Sequence, residues 1–193
     1  LSFYRIPMPS SDDEHLMTLA LAQAARGIGL TSPNPPVGAV IVSHGELIGE
    51  GFHSKAGGAH AEIEALLDAK KSGHDTRGAS VFLTLEPCST QGRTPPCTDA
   101  LIEAGVASVC YGSADPNPRH AGAADSVLLA AGIEVESGVL GEACDRLVRP
   151  FAKWIKSGLP YVIAKAGQSL DGRITRPPGE PQWITGEAAR AHA

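Results

Sequence analysis

A chain of 193 residues with 42% hydrophobic and 19% charged side chains has the makeup of an ordinary folded protein, which excludes a disordered or coiled-coil chain. Its 16 Lys and Arg against 21 Asp and Glu leave a net charge of −5, so a general nucleic-acid binder, which needs surplus cations to neutralise phosphates, is excluded too. No apolar run reaches the roughly 18 residues of a membrane span, and the opening residues lack the basic-then-apolar pattern of a secretory signal. A cytoplasmic protein with no membrane partner is expected, and Leu1 in place of a methionine reads as a trimmed start.

In chain order, Ser11-Asp12-Asp13-Glu14 has capping-box spacing and opens a helix carried by Leu16, Leu19, Ala20 and Gln23 to Arg26, with Gly27 as its C-cap. Three prolines in Thr31-Ser32-Pro33-Asn34-Pro35-Pro36 fix φ and remove donors, so this stretch is neither helix nor central strand. Residues 37–42 read as a buried strand, and His44-Gly45 as a turn into Leu47-Ile48. Strands then alternate with short helices. The helices fall at residues 59–71, with Ile63, Leu66 and Leu67 on one face, at 98–104 and at 125–131; the strands fall at 80–85, 107–111 and 133–136. This order means an α/β sandwich around a sheet whose later strands are parallel. A helix over 142–156 holds Leu147, Phe151 and Trp154, and Ser157-Gly158-Leu159-Pro160 marks a boundary. A new strand is expected over 161–166, opening a second fold too short here to be a domain. The expected division is a domain over 1–148, a linking helix end over 149–158, and the start of a second domain over 159–193.

The four cysteines differ in setting. Cys110 lies in an apolar run and Cys144 in a helical pattern, so both read as small buried hydrophobes. Cys88 and Cys97 each follow a proline, and His60-Ala61-Glu62 stands at a helix start. One imidazole and two thiolates make a zinc set that leaves the fourth position free, as catalytic zinc requires. The helix N-terminus at Cys97 favours its thiolate. His-x-Glu followed by Pro-Cys and a second Cys is the signature of zinc-dependent base deaminases, although eight residues rather than the usual two separate these cysteines. On spacing alone, a surface histidine with an accidental pair of thiols remains open.

The wider sequence around these residues narrows the choice. In Pro33-Asn34-Pro35-Pro36-Val37-Gly38-Ala39-Val40-Ile41-Val42, His60-Ala61-Glu62, Thr84-Leu85-Glu86-Pro87-Cys88-Ser89, Gly92-Arg93-Thr94-Pro95-Pro96-Cys97 and Asp115-Pro116-Asn117-Pro118, the chain resembles the pyrimidine deaminases of riboflavin biosynthesis. Ser169-Leu170-Asp171-Gly172-Arg173 and Gln182-Trp183-Ile184-Thr185 resemble the opening of the reductase fused to them, so the resemblance runs over residues 12–190. It implies a cytidine-deaminase-like three-layer α/β/α sandwich around a mixed sheet, followed by the first strands of a dihydrofolate-reductase-like domain. The implied reaction is zinc-dependent hydrolytic deamination of 2,5-diamino-6-ribosylamino-4(3H)-pyrimidinone 5′-phosphate, a small phosphorylated pyrimidine, to 5-amino-6-(5-phosphoribosylamino)uracil and ammonia. NADPH belongs only with a complete reductase domain, which requires chain beyond residue 193.

Carried onto this sequence, the resemblance assigns zinc to His60, Cys88 and Cys97 and proton transfer to Glu62. It gives Asn34 the pyrimidine edge and makes His53, Ala61, Asp115 and Asn117 further substrate contacts. Lys55, Arg93 and Arg119 are the candidate cations for the phosphate. Lys165, Gly167, Ser169 and Trp183 match the reductase site, Gly167 and Trp183 on its cofactor side. Three departures stand out: Thr90 replaces the family's usual histidine, residues 119–124 lack part of a Gly-Arg-Gly-like run, and Pro181 replaces a serine. They keep two other readings in view, a cytosine, nucleoside or tRNA-type zinc deaminase, and an inactive zinc-binding scaffold for a reductase. The resembling proteins assemble through both domains, which leaves a homo-oligomer open.

Overall fold

In the computed structural model, which describes residues 11–91, 95–118, 120–180 and 183–191, the chain divides after Tyr161 into two units. The first is built on a sheet of β1 (Gly38–Ser43), β2 (Glu46–Phe52), β3 (Ser80–Leu85), β4 (Ser108–Ser113) and β5 (Glu134–Ser137), in spatial order β2-β1-β3-β4-β5. β1 is antiparallel to β2 and to β3, whereas the β3–β4 and β4–β5 pairs are parallel. The parallel half is what alternating strands and helices predict. The antiparallel edge comes from His44 and Gly45, both at positive φ (52° and 81°), the conformation that reverses a chain in two residues.

Side chains alternate between the faces along each inner strand, as the pleat requires. Ala39, Ile41, Val81, Leu83, Val109 and Tyr111 pack with α2 (Ala61–Lys71), α3 (Cys97–Glu103) and α4 (Ala123–Ala130) on one face. Val40, Phe82 and Cys110 pack with Met17 and Ala20 of α1 (Ser11–Ala25) and Cys144 of α5 (Gly141–Ser157) on the other. The result is the expected three-layer α/β/α sandwich, with Cys110 and Cys144 as free core thiols. Burial pushes both thiols up to about 12, so they stay protonated and inert.

Two expectations about helix faces are corrected. The buried face of α2 is Ala61, Glu62, Ala65 and Ala69, not the stripe of Ile63, Leu66 and Leu67; Leu66 packs at the margin and Leu67 is exposed. Close approach decides this. A Cβ on Gly51 of β2 would lie 2.4 Å from the backbone of Ala61 and of Ala65, and one on Gly49 2.5 Å from Ala65, so the helix sits backbone-to-backbone on the strand and only alanines fit between. Gly27, expected as a left-handed C-cap, has an ordinary φ, and the left-handed residue after α1 is Gly29 (φ 81°). Gly27 instead makes room for the His53 carbonyl, 2.7 Å from where its Cβ would be.

In the second unit, the strand expected over 161–166 is absent: these residues have no regular structure, and Val162 and Ile163 are 80% and 76% exposed. A strand takes its hydrogen bonds from a neighbour, and the described residues of this unit form no sheet for it to join. Its one helix is α6 (Glu187–Ala191).

Gly51→Ala tests the seating of α2, because the added methyl meets backbone rather than a flexible side chain. We expect it to cost about 1–3 kcal/mol by urea denaturation. An unchanged midpoint would contradict the close approach.

Candidate active site

The seat of α2 places its first residues. His60 is the N-cap, with extended backbone (φ −75°, ψ 165°), and Glu62 follows in the first turn, 3% exposed. β3 ends at Leu85 and leads through Glu86 and Pro87 to Cys88, while Cys97 is the first residue of α3. These elements bring together what the sequence spreads over 38 residues. The ligand atoms of His60, Cys88 and Cys97 lie within 4.8 Å of one another. His60 Nδ1 is 3.2 Å from Cys97 Sγ and 3.6 Å from Cys88 Sγ. Zinc with Zn–N near 2.05 Å and Zn–S near 2.3 Å at tetrahedral angles requires N···S separations of about 3.6 Å, so the donor set and its spacing fit zinc with little rearrangement.

Without a cation the two thiols share a proton: Cys97 donates to Cys88, whose thiolate is also stabilised by His60 and by the Cys97 N–H at 3.3 Å and is held down at about 4. Cys97, bonded to that thiolate, buried and facing Glu62, is pushed far up. The start of α3 presents its backbone N–H to the sulfur of Cys88. A bound dication displaces this shared proton and makes both sulfurs anionic ligands. The bond to Cys88 raises His60, against the effect of burial. Burial raises the Glu62 carboxyl, partly offset by hydrogen bonding and by His60.

His60, Glu62 and Cys88 line a cavity of about 450 Å³ whose wall also includes Asn34, His53, Val37, Leu85, Glu86, Thr90, Asp115, Asn117, His120 and Phe151. His53, 2% exposed, is committed at both ring nitrogens: Nδ1 lies 2.9 Å from the Ala59 carbonyl and Nε2 3.0 Å from Asn34 Nδ2. A carbonyl only accepts, so the network assigns the hydrogen to Nδ1, and Nε2 accepts from the Asn34 amide. This settles the amide's orientation and leaves Oδ1 as its acceptor. Thr31 holds the Asn34 backbone through N–H to the Thr31 carbonyl at 2.8 Å and Thr31 Oγ1 to the Asn34 carbonyl at 2.9 Å.

Of the remaining expected contacts, Asp115 and Asn117 line the cavity, with Asn117 N–H donating to Asp115 Oδ1 at 2.8 Å. Burial is the main influence raising the Asp115 carboxyl. Ala61 is not on the cavity wall; its methyl is fully buried in the core, where the contact with β2 demands a small side chain. Lys55 is exposed and is not on the wall either. Arg93, Arg119 and Pro181 lie outside the described residues. Gly167 and Trp183 belong to the second unit, where Trp183 is 67% exposed and lies beneath the Arg190 guanidinium at 4.6 Å.

Sequence reasoning missed Glu86 as a group with its own task. It is 4% exposed and accepts N–H bonds from Asp115 (3.0 Å) and Gly122 (3.1 Å) at Oε2 and from Ala124 (3.3 Å) at Oε1. This one carboxylate ties the end of β3 to the loop carrying Asp115, Asn117 and His120 and to the start of α4. Its signal was available: an acid directly after a largely apolar strand is buried at the strand's end, where it requires donors.

Comparison with known proteins agrees with this geometry. Residues 10–113 match the family model of the cytidine and deoxycytidylate deaminase zinc-binding region, and residues 160–193 match the RibD C-terminal domain. The chain belongs to the zinc-binding deaminase family. Among its relatives are the riboflavin biosynthesis protein RibD of Actinobacillus pleuropneumoniae, 48% identical over 96% of this chain and 50% of that protein, and RibD of Escherichia coli K12, 49% identical over 92% and 48%. The chain thus spans about half the length of these relatives. Among solved structures, the Thermotoga maritima diaminohydroxyphosphoribosylaminopyrimidine deaminase/5-amino-6-(5-phosphoribosylamino)uracil reductase superposes with a TM-score of 0.85 at 43% identity, over 94% of this chain and 52% of that one.

The metal assignment is tested by metal analysis after zinc loading and dialysis. The chain is expected to retain one zinc ion, and Cys88→Ser and Cys97→Ser each to lose most of it. Full retention by either variant would contradict its ligand role.

Proposed function

We propose that this chain hydrolytically deaminates the phosphorylated diaminopyrimidine of riboflavin biosynthesis, releasing ammonia and leaving the corresponding aminouracil. One observation carries the reading: a buried carboxyl, Glu62, shares a substrate-sized cavity with a His-Cys-Cys set spaced for zinc. The relatives' names and the deaminase named in the Thermotoga protein's title support the choice of substrate.

Zinc held by His60, Cys88 and Cys97 supplies Lewis-acid activation of water. Two thiolates neutralise most of the metal's charge, so the water needs a base, and Glu62 stands two residues from the His60 ligand to take its proton. The oxygen adds to the ring carbon bearing the amine, and Glu62 delivers that proton to the neighbouring ring nitrogen. Glu62 then takes the remaining proton of the added hydroxyl and passes it to the exocyclic nitrogen, which lets the carbon–nitrogen bond break; ammonia leaves and a carbonyl remains. Burial raises the Glu62 carboxyl and makes it a better proton carrier than a solvated carboxylate. Asn34 Oδ1, aimed by His53, accepts from the pyrimidine edge, and Asp115 and Asn117 meet polar groups farther along the substrate. Residues 160–193 match the RibD C-terminal domain, to which NADPH chemistry would belong.

Glu62→Gln separates chemistry from metal binding. We expect the variant to keep its zinc while ammonia release from the diaminopyrimidine phosphate falls by about 10³-fold. Retained turnover would remove Glu62 from the mechanism, and preferential turnover of cytidine or guanine by the unaltered chain would overturn the substrate assignment.

A further inference from the structure

The cavity has a buried floor and an open edge. Glu62 and His53 are buried, Cys88 is half-buried, and Thr90 is exposed. A substrate with its amidine carbon at Glu62 therefore directs its ribosyl phosphate towards the edge where Thr90, Asp115, Asn117 and His120 stand. An anionic group requires donors there, yet among the described residues no lysine or arginine lines the cavity. Of the imidazoles on the wall, His53 is committed at both nitrogens and His60 belongs to the metal set. His120 differs from both.

His120 Nδ1 lies 3.1 Å from Thr90 Oγ1. With the threonine hydroxyl donating to Nδ1, Nε2 carries the ring hydrogen and donates away from Thr90. The backbone around His120 is fixed: its N–H donates to the Asn117 carbonyl at 2.9 Å, and its own carbonyl accepts from Ala123 N–H at 3.0 Å. Glu86 pins the loop on both sides, at Asp115 N and at Gly122 N and Ala124 N. An imidazole held by a hydroxyl on a loop clamped to a buried carboxylate is preorganised, which is what makes a polar contact favourable for affinity. Thr90 is also the position at which the sequence departs from the resembling family's histidine, and the structure brings a second imidazole to that threonine's hydroxyl.

We propose that His120, oriented by Thr90, contacts the phosphate-bearing tail of the substrate, making the Thr90–His120 pair a specificity determinant for a phosphorylated over an unphosphorylated pyrimidine. The proposal rests on the deaminase reading above and adds a residue that neither the sequence pattern nor the family motif assigns. His120 acts in binding and leaves the bond-breaking steps to Glu62.

The test compares the zinc-loaded chain with His120→Ala, His120→Gln and Thr90→Val on two substrates, the diaminopyrimidine phosphate and its dephosphorylated nucleoside. Calorimetric affinity for the phosphorylated uracil product is measured alongside. For His120→Ala we expect KM for the phosphate substrate to rise about tenfold and product affinity to fall about tenfold, the size of one lost hydrogen bond to a charged group. The kcat for the phosphate substrate and both constants for the nucleoside should stay near the parent values. His120→Gln, which keeps a donor, should recover part of the loss, and Thr90→Val should move the same constants by a smaller factor. Equal losses on both substrates, or none on either, would overturn the proposal while leaving the deaminase reading intact. Failure of the unaltered chain to turn over either compound would overturn both.

Discussion

The position of the chemistry depends on how closely α2 lies on the sheet. Gly49 and Gly51 of β2 and Ala61, Ala65 and Ala69 of α2 remove the side-chain layer that separates a helix from a strand, so backbone meets backbone. This contact fixes the helix axially as well as laterally. The N-cap His60 and the first-turn Glu62 consequently project under the ends of β1 and β3 at a depth where Glu62 is almost wholly buried. A bulkier pair of faces would lift the helix, expose the carboxyl and draw His60 away from the cysteines.

The second framework is electrostatic. Glu86 collects three backbone N–H groups from the loop after β4 and the start of α4, and so joins the segment carrying Cys88 to the segment carrying Asp115, Asn117 and His120. A few residues away, His60, Cys88 and Cys97 bring one imidazole and two sulfurs within 4.8 Å of one another beside the buried Glu62. Buried polar clusters of this kind are costly unless every member is satisfied. Zinc would satisfy these donors together, since two cysteines and one histidine are among the ligand sets it accepts. Asn34 shows the same economy without charge, since Thr31 holds its backbone and His53 takes one N–H of its amide.

Much of this was legible in the sequence. Strand positions were readable because short apolar runs bounded by Gly, Pro and Asp leave little choice, and the parallel half of the sheet followed from strand–helix alternation. The metal set was readable because His-x-Glu and two proline-preceded cysteines are rare together. What escaped was whatever depends on an approach between distant segments. The alanine face of α2 carries less hydrophobicity than its leucines, and it became the core face only because β2 offers glycines. Glu86 and His120 look like ordinary polar residues until folding brings the β3 end, the loop after β4 and Thr90 to one place. The strand expected over 161–166 has the right composition, but its pairing partner is a tertiary fact that composition does not contain.

Hydrolytic deamination in this cavity would replace an amine with oxygen from water. Reaction of the zinc-loaded chain with the diaminopyrimidine phosphate in heavy-oxygen water, followed by mass spectrometry of the product together with ammonia assay, tests it most directly. One solvent oxygen is expected in the new carbonyl for each ammonia released. Product without solvent oxygen, or binding of the pyrimidine with no ammonia at all, would contradict it.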